Sequence, residues 1–305
     1  MQHRRIGCTG LKVSVIGLGT WQFGGEWGRS FTAEEVSAIL AAARSCGINL
    51  IDTAECYGDH EAERLIGQAI RGNREHWIIA TKFGHRYTGL FQRAEPRTPA
   101  DILQQLDDSL KALGCECIDL YQYHSWPDSQ FFDDDILSVL LKAKDAGKFK
   151  HLGNSLRSAG SPAQLASSRR RHVECVQLVY NRLDRRAETD AFPVCLEQDL
   201  GVLARVPLAS GWLSGKYRLG TCFAENDTRS RQKPMTPDDP RYLQLQRVLA
   251  EVPDHLPAAT WALAWCLKHP AVSVVIPGCK TVEQVLTNAR AAELVDPAHP
   301  LAVRV

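Results

Sequence analysis

Short apolar runs recur along this chain, separated by helical patterns, and that alternation constrains the fold more than any other feature. The runs are Val13–Thr20, Ile48–Ala54, Trp77–Phe83, Ile118–Ser125, Phe149–Ser155, Val173–Asn181, Val202–Ala209 and Ala271–Gly278. Near-continuous apolar character is what strands need when helices cover both faces of the sheet. Eight such strands alternating with helices point to a closed parallel (β/α)8 barrel, a TIM barrel, rather than an open sheet. A chain of 305 residues with 44% hydrophobic content suits one such barrel as a single domain over residues 1–305, since the fold typically takes about 250 residues plus insertions.

Local signals punctuate the alternation. Thr32-Ala33-Glu34-Glu35 reads as a capping box, followed by Val36, Ile39, Leu40 and Ala43 at helical spacing. Thr98-Pro99 sets a capping hydroxyl before a proline at the first helical position, and Thr281-Val282-Glu283-Gln284 repeats the box before the last helix. Gly7–Val13 contains CTGL, a turn for an N-terminal β-hairpin. Asp133-Asp134-Asp135 imitates a metal cluster but precedes a helix, where acidity suits the dipole, so no metal is expected. The basic run Arg169-Arg170-Arg171 reads as a solvated helix end. Arg218–Pro240 has no period; a loop that long is functional or mobile, and it leaves the strand-seven end of the barrel.

The formal net charge of +1 favours neither nucleic acid nor an acidic membrane as partner. No signal peptide and no apolar run of about 18 residues is seen. The 10 cysteines form no paired CxxC array, so reduced thiols in a cytoplasmic protein are expected. Nothing in the sequence specifies an oligomeric state.

Four residues lie at or just beyond strand carboxyl ends: Asp52 and Tyr57 in IDTAECYG, Lys82 in IIATKFG, and His124 in LYQYHS. In a parallel barrel those ends share one rim, so the four converge. A phenol has a pKa near 10 and is a sluggish acid at neutral pH. An ammonium about 4 Å away, at an effective dielectric of about 20, interacts with the phenolate by roughly 4 kcal/mol. Lys82 is therefore expected to lower the Tyr57 pKa, before burial and Asp52 are subtracted. Asp52 would keep Lys82 charged, and His124 would donate to a carbonyl oxygen and help pass the proton. Each residue alone has a plainer reading: a loop cap, a rim aromatic, a solvated lysine, a core histidine. A Schiff-base lysine, as in barrel aldolases, needs a neutral amine, which Asp52 opposes.

Protonating a carbonyl is half a reaction; the other half needs a hydride, which only a cofactor supplies. Gly17-Leu18-Gly19 is no Rossmann fingerprint, because Gln22 stands where the third glycine belongs and no helix opens there.

GLGTWQFGG, DTAxxYG, TKFG, PLASGWLSGKY and IPGCKTVEQVLTN occur in order, and through them the chain resembles the aldo-keto reductase family from about residue 4 to about residue 292. The resemblance implies an N-terminal hairpin closing the barrel bottom, long rim loops, and reduction of a small-molecule carbonyl by NADPH (NADP+). Tyr57 would be the general acid beside Asp52, Lys82 and His124. Gly19, Thr20, Trp21 and Asp52 would line the cofactor site, with Ser155 and Gln177 on the carboxamide. Arg205, Val206, Pro207, Leu208, Ala209, Ser210 and Gly211, with Lys216, match the segment that stacks on nicotinamide and wraps the pyrophosphate. Gly278, Lys280, Gln284 and Asn288 match the adenosine and 2′-phosphate end, and the 218–240 loop would fold over the dinucleotide. Trp21, Trp27 and Trp126 are expected as substrate-pocket walls.

The chain also departs from the family pattern. Leu156 stands where an asparagine is usual, Arg205 where an aromatic stacks, and Thr287 where a glutamate is frequent. Arg205 would favour the neutral reduced ring over the cationic oxidised one. Gly278 and Gln284 occupy places that are basic in some relatives, which leaves Lys280 as the obvious cation for a 2′-phosphate. Some family members associate with ion channels, so a nucleotide-binding regulatory or sensor subunit with low turnover is the alternative function.

Overall fold

The computed structural model of the protein describes residues 1–96, 98–157 and 160–295. Eight parallel strands form the central sheet: β1 Leu18–Gly19, β2 Leu50–Asp52, β3 Ile78–Phe83, β4 Ile118–His124, β5 Phe149–Ser155, β6 Val173–Val179, β7 Gly201–Arg205 and β8 Val274–Val275. The ring closes where Ile16 bridges Val275 and Gly19 bridges Gly278, both in the parallel sense. Gly17 N donates to Val275 O at 2.8 Å across that seam. The result is the expected (β/α)8 barrel, with all strand carboxyl ends on one rim.

Inside the barrel, Leu50, Ala80, Leu120, Cys175, Leu203 and Val274 pack with Ile6 and Val13 in one apolar cluster. Ile6 and Val13 come from the N-terminal hairpin, in which His3–Arg5 pairs antiparallel with Lys12–Ser14. Its turn lies against the amino end of β7, with Cys8 N donating to Asp199 O at 2.7 Å. Gly7 is required there: its φ is +43°, and a Cβ would sit 2.1 Å from Gly201 N. The hairpin plugs the barrel bottom.

This overturns one expected strand. Val13–Thr20 is not continuous, because its first residues serve the hairpin, Ile16 joins the barrel through a single bridge, and only Leu18–Gly19 forms barrel strand. One apolar run carries out two burial tasks, and periodicity alone does not divide them. The run Val202–Ala209 stops at Arg205, since Val206 takes a left-handed φ of +55°.

The helix signals hold in detail. Thr32 and Thr98 make full capping boxes with Glu35 and Asp101, while Asp133 caps Asp134–Asp145 by accepting from Asp135 N and Ile136 N. Before Val282–Ala289 only half the box forms: Thr281 accepts from Gln284 N, but the Gln284 side chain turns to Lys280 N at 2.8 Å. Arg171 is not solvated. It pairs with Asp134 and donates to Phe131 O and Asp133 O at 3.0 and 2.8 Å. Among the described residues no helix is long and apolar enough to cross a membrane.

Candidate active site

Asp52 ends β2, Lys82 lies in β3, and His124 ends β4. Tyr57 sits in the loop after β2, turned inward by its N–H to Ala54 O at 3.1 Å. Lys82 Nζ donates to Asp52 Oδ2 at 2.8 Å, to Thr53 O at 2.6 Å and to the Tyr57 hydroxyl at 3.4 Å. The second Asp52 oxygen accepts from Gln177 Nε2 at 2.6 Å and Gln122 Nε2 at 3.4 Å. His124 Nδ1 lies 3.7 Å from the Cys56 thiol, and its ring meets that of Tyr57 edge-on at 6.1 Å. The four residues converge. Lys82 is fully buried and its three N–H bonds are committed, a poor arrangement for an amine that must attack a carbonyl.

Electrostatics here differ from the sequence expectation. Burial holds the Tyr57 phenol well above its ordinary pKa, reinforced by Asp52 and Cys56; Arg205 and Arg93 act in the opposite sense. The expected lowering by Lys82 does not emerge, because desolvation of a phenolate outweighs nearby cations and Asp52 cancels part of the lysine field. Burial pushes His124 well below the usual imidazole range, aided by His85, Lys82, Arg205 and Arg93. At neutral pH the site therefore presents a protonated phenol beside a neutral imidazole.

These groups floor a cavity of about 670 Å³ that runs along the rim to the last helix. Gly19, Thr20, Trp21, Trp27, Ser155, Gln177, Arg205, Val206, Pro207, Leu208, Ser210, Gly211, Lys216, Gly278, Lys280, Gln284 and Asn288 all line it, together with Asp52, Tyr57 and His124. Lys82 lies behind this wall. Two expected residues fall elsewhere. Ala209, at φ +47°, packs against the core rather than the cavity. Trp126 is 2% exposed, with its ring 5.3 Å from those of Phe83 and Tyr123. Ser125 adopts φ +58°, and the next residue is a core tryptophan, not a pocket wall.

Sequence reasoning missed a second hairpin, Arg86–Gly89 paired with Gln92–Ala94, inserted after β3. It carries Arg93 to the cavity, as the turn before it carries His85. The alternation in RYTGLFQRA, broken by Gly89, is the one signal that marks it. The 218–240 loop is also ordered. Asp227 and Arg229 form a buried ion pair at 2.6 Å, and Arg229 donates to the Tyr217 hydroxyl at 2.6 Å. Thr228 N reaches Glu26 O at 2.9 Å, and Asp227 bridges Trp27. Lys280 donates to Trp27 O and lies 3.9 Å from Asp227. The loop is thus latched across the rim onto the segment after β1. Burial lowers the Lys280 pKa, and Arg229, Lys216 and Arg29 lower it further.

Residues 15–299 match the model of the Aldo/keto reductase family. An NADH-specific methylglyoxal reductase of Escherichia coli is 29% identical over 96% of this chain and 94% of its own length. A probable voltage-gated potassium channel subunit beta of Oryza sativa is 29% identical over 97% of this chain and 92% of its own. Among solved structures, the holo form of an aldo-keto reductase from Bacillus halodurans is similar with a TM-score of 0.81, at 27% identity, over 96% of this chain and 91% of that one.

Proposed function

The chain belongs to the aldo/keto reductase family, and on that premise we propose an NADPH-dependent reductase of aldehydes or ketones in which Tyr57 delivers the proton. One observation carries this reading: the Asp52–Lys82–Tyr57 cluster, with His124 beside it, floors a cavity long enough to continue to the last helix. The residues along that cavity fit a dinucleotide. Ser155 and Gln177 offer buried hydroxyl and amide groups at the strand end, and Lys216 and Lys280 bring positive charge to the far end, where Arg229 is neutralised by Asp227. At Gly278 the end of the Gln22 side chain packs where a Cβ would stand, with Gln22 Nε2 at 1.6 Å from that position. The amino end of Val282–Ala289 opens beside Lys280, where backbone N–H groups suit phosphate.

Bound there, the nicotinamide supplies the hydride that no side chain provides. Tyr57 donates its proton to the carbonyl oxygen. Lys82, itself held by Asp52 and Thr53 O, fixes the hydroxyl and stabilises the phenolate as it forms. A Cys56 thiol donating to His124 Nδ1 leaves the ring proton on Nε2, as donor to the same oxygen. Lys280 is the cation we assign to a 2′-phosphate, giving a modest NADPH preference. The E. coli relative named as NADH-specific makes that preference a point to test. We place the protein in the cytoplasm, where ten unpaired cysteines stay reduced.

The second reading, a nucleotide-binding regulatory subunit with little turnover, draws on the relative named as a channel subunit. NADPH oxidation across a panel of simple aldehydes separates the two. Steady turnover supports the reductase; tight NADPH binding without turnover on any member contradicts it.

A further inference from the structure

We propose that Glu26 is a positioning residue: from behind the cavity wall it fixes the Trp21 indole beside Tyr57, and so sets how strongly the protein discriminates among carbonyl compounds by the group they carry. This rests on the reductase reading above.

Glu26 is fully buried, and a buried carboxylate persists only when it is paired and hydrogen-bonded. The partners of its side chain come from two rim loops. Trp21 Nε1, in the segment after β1, donates to Oε2 at 2.8 Å. From the hairpin after β3, Arg93 Nη2 donates to the same oxygen at 2.5 Å and Phe91 N donates to Oε1 at 2.9 Å. Arg93 Nη1 turns back onto Gln92 O at 2.8 Å and Gly89 O at 3.4 Å, and its guanidinium lies 5.0 Å over the Tyr87 ring. The hairpin is thus stiffened around the same charge that holds the indole. The 218–240 loop is held by the main chain instead, with Thr228 N donating to Glu26 O at 2.9 Å. Side chain and main chain of one residue therefore serve different ends of the cavity.

Trp21 and Arg93 line that cavity and Glu26 does not. The Trp21 ring stacks 5.9 Å from that of Tyr57, with 22° between their planes, and meets Trp27 edge-on at 5.3 Å. Ring contacts alone leave an indole roughly two broad orientations about its second side-chain torsion. A charge-assisted N–H bond to a carboxylate selects one of them. A planar group on a carbonyl at Tyr57 then has a fixed face to pack against, whereas a short alkyl chain offers that face little area. Such a contact is alike in the bound substrate and the transition state, so its loss falls on KM rather than kcat.

The test measures KM and kcat for benzaldehyde and propanal, with NADPH affinity, in the unaltered protein, Glu26→Met and Glu26→Gln. In Glu26→Met the KM for benzaldehyde is expected to rise against that for propanal by about two- to tenfold, the worth of one aromatic pair. NADPH affinity should stay in place, because the 218–240 loop is held by the main chain. Glu26→Gln, which keeps an acceptor for the indole, should recover part of the loss. A purely structural role lowers the melting temperature and leaves the KM ratio where it was; that result in folded Glu26→Met overturns the proposal. If Glu26→Met does not fold, NMR of the indole N–H groups in the unaltered protein decides. The Trp21 signal, identified by its loss in Trp21→Phe, is expected to be protected from exchange with water, and rapid exchange overturns the proposal. Unaltered protein that reduces neither aldehyde overturns instead the reductase reading on which it rests.

Discussion

Two glutamates, half-buried Glu174 at the bottom of the barrel and buried Glu55 at the rim, are held in opposite ways. Glu174, at the amino end of β6, accepts from His151 Nδ1 at 3.0 Å and Lys144 Nζ at 2.9 Å. Despite its burial, those hydrogen bonds and charges lower its pKa to about 2. Glu55, on the loop between Asp52 and Tyr57, is 4% exposed and makes no side-chain hydrogen bond or ion pair among the described residues. Burial raises its pKa to about 8, with His60 opposing and Glu63 reinforcing the shift. The bottom of the barrel satisfies its charges; the top leaves Glu55 uncompensated, with Arg205 Nε, Gln22 Oε1 and His85 Nδ1 buried and unpartnered. A rim organised for ligands gives up stability that the sealed end retains.

If this division is right, substitutions at the two ends act on different observables. The largest effect is expected at the rim: Tyr57→Phe removes one hydroxyl and lowers carbonyl reduction by at least about 10²-fold, with cofactor binding and melting temperature nearly unchanged. Equal loss of stability and rate would break the contrast. At the bottom, Ile6→Ala hollows the barrel plug and should cost about 2–5 kcal/mol, read from denaturant midpoints, while the turnover of folded protein stays as it was.

The glutamates sharpen the comparison through pH. A carboxyl whose pKa is raised on folding contributes stability that is full below its unfolded value and lost as pH rises through the folded one. For Glu55 the window runs from its ordinary value of 4.5 to about 8, and a few kcal/mol is the expected scale. Urea denaturation at pH 5 and pH 9 should show that slope flattened in Glu55→Gln. Glu174 has the reverse sign: its contribution is present above 4.5 and lost as pH falls towards about 2. The smallest effect is expected at the far end of the rim. Lys280→Ala removes one charge-assisted contact, about ten- to a hundredfold in NADPH affinity, and leaves NADH affinity in place. Equal affinity of the unaltered protein for both dinucleotides would remove Lys280 from that role.

The parts legible in the sequence are those set by local chemistry. The Phe149–Ser155 strand, the caps at Thr32 and Thr98, and the acidic helix start at Asp133 follow from neighbours a few residues away. The convergence of Asp52, Tyr57, Lys82 and His124 follows from parallel strand ends. What escaped depends on backbone conformations that no pattern announces. The left-handed turn at Ser125 precedes a core-facing Trp126, and the one at Val206 cuts β7 short. The Arg86–Ala94 hairpin that delivers Arg93 has too little apolar character to read as strands. The raised Tyr57 pKa escaped for a different reason: it depends on burial depth, which sequence does not measure.

The central claim is that the rim group transfers a proton from Tyr57 while a hydride comes from the nicotinamide. NADPH carrying deuterium on the reactive face of nicotinamide C4, mixed with a simple aldehyde and the protein, tests it in one measurement by mass spectrometry of the alcohol. The account predicts one deuterium on the carbinol carbon, formed at least about 10²-fold more slowly by Tyr57→Phe. Alcohol formed without the label, or at an undiminished rate in Tyr57→Phe, would contradict it.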